Sequence, residues 1–246
     1  MVKIEIKKGE DPQLKRPVFL CDKVLKLGVP PPYDLLVDAF KFILWVGRPA
    51  SGKTSMLFSL FKDKRCLKKT WNNIILVMPR QSLDSMKKSD NVFKDIDEEK
   101  LYDDLEDIDV IREQVKSYAS EGESSVIIID DQMTKLKDKG IERILADIVA
   151  NRRHYKTSII ILTQIYERVP LKLRKLVNVL FMMHKPSKKE FAMMMDEQLE
   201  YNEDVAHSLF KLGYNKPYDF IMIDVPSQKI FNNFNQIIIK EDAEED

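Results

Sequence analysis

The chain has 246 residues, 44% apolar and 33% charged, enough for one α/β domain with a full core plus a small accessory segment. That composition excludes a disordered chain, and no apolar run approaches the roughly 20 residues of a membrane span. Forty acidic residues balance forty basic ones, so net charge does not announce nucleic acid, and two cysteines in unrelated contexts, Cys21 and Cys66, exclude a disulfide framework.

Residues 1–40 read as a small β addition to the main sheet. Val2 to Lys7 alternates as a half-exposed strand does, Gly9-Glu10-Asp11-Pro12 breaks it, and Pro30-Pro31-Pro32 forms a stiff spacer. Met1 to Glu10 lacks a secretory core, and the cysteine usage points to a reducing cell interior. From residue 41 to 235 apolar strands alternate with amphipathic helices. This is the pattern of an α/β fold with a mostly parallel central sheet and helices on both faces. The predicted strands are Phe42–Val46, Asn73–Met78, Ser125–Ile129, Thr157–Thr163, Val177–Met183 and Tyr218–Val225.

Between the second and third strands Leu101, Leu105, Ile108, Ile111 and Val115 recur at helical steps. Ile141, Ile144, Leu145, Ile148 and Val149 make a clearer stripe that runs into Asn151-Arg152-Arg153-His154. Phe191–Met195 and Val205–Leu212 read as helical, and residues 236–246 as an acidic disordered tail.

Behind the first core strand stands Gly47-Arg48-Pro49-Ala50-Ser51-Gly52-Lys53-Thr54, a phosphate-loop pattern with no required position substituted. A triphosphate needs a ring of backbone N–H donors, and glycine lets the chain curl closely around it. Lys53 brings a mobile positive charge to the β/γ oxygens, and the Thr54 hydroxyl can hold Mg²⁺. Ser55 opens a helix whose positive end faces the phosphates. A chance match in a surface turn is the bland alternative, and the strand before and helix after argue against it. The segment binds ATP or a similar triphosphate.

Val126-Ile127-Ile128-Ile129-Asp130-Asp131 is a buried strand ending in two carboxylates at the edge where such sheets bind ligands. Asp130 is placed to hold Mg²⁺ opposite Thr54, and Asp131 to orient or deprotonate the attacking water. Gln164 ends Ile159–Thr163 in the same way. If that strand inserts between the other two, its amide reaches the γ-phosphate. Arg152 and Arg153 are candidates for a finger onto a neighbouring subunit's γ-phosphate, with helix-end cations as the structural alternative. Arg48, inside the loop, is a rival acting within its own subunit.

His154, His184 and His207 have no metal-ligand spacing, and the Met182-Met183 and Met193–Met195 groups read as packing. Lys135, Lys137 and Lys139, or Lys172, Arg174 and Lys175, are candidate contacts to a nucleic-acid backbone. Three functions fit these residues: a motor, a nucleotide-gated switch or scaffold with slow turnover, and a small-molecule phosphotransferase. The segment after Gln164 shows no arginine-rich lid of the kind the last requires.

Gly47–Thr54, Ile127–Asp131, Asn151-Arg152-Arg153-His154 and Ser158–Gln164, in this order and spacing, resemble the genome-packaging ATPases of large double-stranded DNA viruses and virophages, the poxvirus-type branch of the FtsK–HerA superfamily. Pro217–Asp224 and Lys229-Ile230-Phe231 are similar to that branch too, so the resemblance covers roughly Phe42 to Phe231. It implies a RecA-like, ASCE-type P-loop NTPase core, ATP and Mg²⁺ as ligands, and a ring of six or five identical subunits. It further implies movement of double-stranded DNA into a capsid through portal-vertex proteins, at a virion assembly site in the host cell interior.

Overall fold

Strand alternation decides how the core divides. Phe42, Leu44 and Val46 are buried on one face of their strand with Ile127, Ile129, Ile159 and Ile161. Ile43 and Trp45 are buried on the other with Val126, Ile128, Ile160 and Leu162. Every second residue points to the same side, so strands apolar at every position need cover on both faces. The computed structural model describes residues 3–6, 33–84, 91–183 and 186–240.

The strands, in chain order, are β1 (Lys3–Ile6), β2 (Phe42–Val46), β3 (Asn73–Val77), β4 (Leu101–Tyr102) and β5 (Ser125–Asp130), followed by β6 (Thr157–Thr163), β7 (Val179–Met183), β8 (Phe220–Asp224), β9 (Lys229–Asn232) and β10 (Asn235–Lys240). They form one sheet in the order β1-β10-β9-β8-β7-β2-β6-β5-β3-β4. From β4 to β7 the pairs are parallel; from β7 through β8, β9 and β10 to β1 they are antiparallel. The helices are α1 (Lys53–Lys62), α2 (Arg80–Asp84), α3 (Ile108–Ser120), α4 (Lys139–Ala150), α5 (Leu171–Arg174), α6 (Lys188–Leu199) and α7 (Glu203–Gly213).

Helix α1 packs Leu57, Leu60 and Phe61 onto one face of the sheet. Helices α3, α4, α6 and α7 cover the other. The stripe predicted on α4 is buried at all five positions. Its start is set by Asp138, whose carboxylate accepts from the N–H groups of Gly140 and Ile141. Met182, Met183, Met194 and Met195 are buried in the core, as packing residues are.

The structure differs from the sequence expectation in three places. The helical steps from Leu101 do not make one helix. Leu101 pairs beside Leu76 in the sheet, and Asp104 accepts from the Glu106 N–H, a local bond that delays α3 until Ile108. Strands β9 and β10 were not anticipated, because Asn232-Asn233-Phe234-Asn235 masks a tight hairpin with Asn233 and Phe234 in left-handed backbone.

The third difference concerns the tail. Residues 236–240 belong to β10 and pair with β1, Ile4 opposite Ile239, so the expected tail does not begin at 236. Once Ile237–Ile239 have an edge to pair with, a strand is more favourable than a solvated chain. The expectations for Gly9–Pro12, Pro30–Pro32, His184 and residues 241–246 lie outside the described residues.

Candidate active site

The loop from Gly47 to Gly52 leaves β2 and enters α1. Its first residue is tied to the neighbouring strand, since Gly47 N–H donates to Thr163 O at 3.0 Å. A Cβ at Gly47 would sit 2.8 Å from Met183 Cβ and 2.9 Å from its carbonyl oxygen, so only glycine fits there. Ala50 and Gly52 have positive φ, 59° and 89°, which curls the loop back over the start of α1. Gly52 is the cap residue of α1, and no side chain caps that end. The first amides of the helix are therefore left for a ligand, and the helix dipole favours an anion there.

Lys53 Nζ donates to the carbonyl oxygens of Gly47 and Arg48, so the ammonium hangs over the loop. Burial pushes its pKa down, while Asp130 and Asp131 pull it back up. Thr54 Oγ1 donates to Asp130 Oδ2 at 3.2 Å. Burial pushes the Asp130 carboxyl up; the Thr54 hydroxyl and Lys53 counter it. Ser51 is buried, and its hydroxyl oxygen has no hydrogen-bond partner among the described residues.

Because β6 lies between β2 and β5, three strand ends share one edge of the sheet. Gln164, one residue past β6, donates from Nε2 to Asp131 Oδ1 at 3.4 Å. Asp131 adopts a left-handed backbone, φ 56°, that turns the chain at the end of β5. Lys53, Thr54, Asp130, Asp131, Thr163 and Gln164 line a cavity of about 350 Å³. A larger cavity, about 890 Å³, lies between α6 and α7 and contains none of them. Met78, Ser82 and Met133 also face the smaller cavity, and nothing in their spacing marks them in advance.

The donor set fits the ligands it suggests. Uncapped helix amides, the Lys53 ammonium and a glycine cradle suit phosphate oxygens, and a hydroxyl beside a partly buried carboxylate suits Mg²⁺. Thr54 and Asp130 would hold that ion. Among the described residues no group of three or more His, Cys, Asp or Glu side chains forms a separate metal site.

Other predicted residues fall elsewhere. Arg48 and Pro49 line an adjoining cavity of about 460 Å³ with Gln164, so Arg48 stands near the loop. Arg152 and Arg153 do not. They precede β6, and that strand of seven residues spans about 20 Å before it reaches Gln164. Neither reaches the phosphate loop of its own chain. Arg152 Nη1 donates to Val149 O and so caps the last turn of α4, while Arg153 is exposed.

Lys135 bonds Glu106 and lies 3.8 Å from Asp104, so it is neutralised within the chain. Arg174 pairs with Glu197 at 2.8 Å and lies over the Tyr166 ring. Neither is available as a loose backbone contact. Lys137, Lys139, Lys172 and Lys175 are exposed, as are His154 and His207.

Residues 33–219 match the family model described as Poxvirus A32 protein. The chain belongs to that family. It is the viral genome-packaging ATPase family expected from the motifs, and its fold is that of a P-loop ATPase.

Solved structures agree on the fold. The genome packaging NTPase B204 of Sulfolobus turreted icosahedral virus 2, in complex with ATP-γS, superposes with a TM-score of 0.56 at 19% identity, over 79% of this chain and 96% of that one. The DNA-packaging ATPase B204 of Sulfolobus turreted icosahedral virus gives 0.57 at 18%, over 78% and 96%. EccC of Thermomonospora curvata gives 0.50 at 12%, over 82% of this chain and 37% of that one. Among curated proteins no sequence match was found. No described helix of this poxvirus A32 family member is long and apolar enough to cross a membrane.

Proposed function

We propose that this chain is an ATP-hydrolysing motor that translocates double-stranded DNA and packages a viral genome into a capsid. The observation that carries the reading is the position of β6 between β2 and β5. It gathers Lys53 and Thr54 on one side and Asp130, Asp131 and Gln164 on the other around a single cavity. A loop that only bound nucleotide would not need two carboxylates and an amide aimed at the position of the terminal phosphate.

In this reading the loop amides and Lys53 bind and orient the triphosphate, with Thr54 and Asp130 as the Mg²⁺ ligands. A bound Mg²⁺ neutralises charge on the phosphates. Asp131 accepts a proton from the attacking water, and Gln164, already within 3.4 Å of Asp131, fixes that water's position. The left-handed turn at Asp131 accompanies the contact of its carboxylate with that amide. Arg152 and Arg153 lie too far to act in their own subunit. A finger from that end of α4 therefore serves a neighbour in a ring of six or five copies, and Arg48 is the rival within the chain.

DNA needs no base readout here, because a motor grips the phosphate backbone. The further partners in this proposal are proteins of a capsid or portal vertex, and the place of action is a virion assembly site inside the host cell.

The test is ATP turnover by the full chain with and without long duplex DNA, beside mass measurement of the assembly. A motor shows DNA-stimulated turnover in a ring-sized assembly. Tight nucleotide binding without stimulated turnover would make the chain a switch. Transfer of phosphate to an added small acceptor would make it a phosphotransferase.

A further inference from the structure

We propose that Tyr218 is the platform on which the nucleobase of the bound triphosphate stacks. The proposal rests on the phosphate-loop reading above and adds the site for the other end of the ligand.

Among the large apolar side chains of the described residues Tyr218 is the most exposed, at 64%. Yet it is not remote from the site. A Cβ placed on Gly52 would lie 3.2 Å from Tyr218 Cδ1 and 3.8 Å from Cε1, so the edge of the ring sits on the last glycine of the loop. A ring needed only to pack the loop would be covered. This one touches the loop along one edge and leaves the rest of its surface to solvent.

The backbone is held for that purpose. Tyr218 has φ 67°, a left-handed conformation that costs free energy in a bulky residue and persists only where its surroundings enforce it. The neighbouring Asp219 enforces it. Its carboxylate accepts from the N–H groups of Asn215 and Lys216 at 2.9 and 2.7 Å and from Asn233 Nδ2 at 2.7 Å. The turn is thereby pinned to the β9–β10 hairpin.

Topology gives the direction. Gln164, Asp130 and Asp131 stand on the β6 side of the loop, where the terminal phosphate is read. Tyr218 precedes β8, whose first residue, Phe220, pairs with Met183 at the end of β7. Strand β7 flanks β2 on the side away from β6. A triphosphate with its terminal group beside Gln164 runs across the start of α1, and its nucleoside leaves on the β7 side, over Gly52. An aromatic face at that point offers stacking to any base, because every base has a π-surface.

The experiment is calorimetric titration of the full-length wild type, Tyr218→Ala and Tyr218→Phe with two Mg²⁺-loaded probes, β,γ-methylene ATP and inorganic tripolyphosphate. Expected is a roughly tenfold loss of affinity for the nucleotide in Y218A, restored in Y218F, with tripolyphosphate bound equally by all three. Unchanged nucleotide affinity in Y218A would overturn the proposal while leaving the loop assignment standing. Equal weakening of both probes would also overturn it, since Tyr218 would then only shape the loop. A wild type that binds neither probe would overturn the phosphate-loop reading and this proposal with it.

Discussion

The Thr54 hydroxyl donates to the Asp130 carboxylate across 3.2 Å, joining residues 76 positions apart in the chain. Neither side chain alone makes a cation site; together they present a hydroxyl and a carboxylate to one point. Thr54→Ala and Asp130→Asn are each expected to weaken binding of Mg²⁺-ATP by about tenfold or more, with a much smaller effect on ATP without the metal. Calorimetric titration in the presence and absence of Mg²⁺ separates the two quantities. A wild-type affinity indifferent to Mg²⁺ would remove the role given to this pair.

In the proposed mechanism Gln164 and Asp131 act on the attacking water while Thr54 and Asp130 hold the metal, so variants of the first pair should behave differently. Asp131→Asn and Gln164→Ala are expected to lower turnover on the order of 100-fold while nucleotide affinity changes only a few-fold. Single-turnover kinetics with a parallel binding measurement checks this. If Asp131→Asn lost binding instead, the carboxylate would belong to the Mg²⁺ ligands.

Arg152 and Arg153 lie too far along β6 from the phosphate loop of their own chain, so the finger role proposed for them requires action between subunits. Arg153 is exposed, and Arg152 Nη1 donates to the Val149 carbonyl. Mixing Arg153→Ala with Lys53→Ala chains, each inactive alone, should restore a fraction of turnover, up to about a quarter of the sites at equal ratio if neighbours pair at random. Mixing assays over a range of ratios read this out. Absence of rescue at every ratio would shift the role to Arg48.

The Asp219 turn should carry stability with a definite pH signature. Burial alone would raise this carboxyl. The donors from Asn233, Lys216 and Asn215 outweigh it and hold the pKa below the ordinary 3.8. The ionised form is the one bound, so the contribution is present above that value and is lost as pH falls through the lowered one. Asp219→Ala is expected to cost about 1 kcal/mol at pH 7, kept modest by solvent exposure. Urea unfolding at pH 7 and near pH 3 should show the gap between wild type and variant closing at the lower pH.

Much of this was legible beforehand for local reasons. The phosphate loop is contiguous, its glycines answer to backbone geometry at their own positions, and runs such as Ile127–Ile129 and Ile159–Ile161 are too apolar to lie anywhere but mid-sheet. The family signature followed from the same runs and their order. Less visible were β9 and β10, because their hairpin is built from asparagines and a left-handed phenylalanine in place of the usual glycine. The engagement of Lys135 with Glu106 and of Arg174 with Glu197 was equally hidden, since each pair lies more than twenty positions apart.

By itself the sequence determined β2, β3 and β5 to β8, the loop and the residue types at the strand ends, since each of these depends on neighbours within a few positions. Only the tertiary structure decided which strand ends meet. Strand order is chosen by packing two apolar faces at once, and that choice set Gln164 on one edge of the sheet with Lys53 and Asp130, carried Arg152 and Arg153 to the far edge, and laid Tyr218 on Gly52.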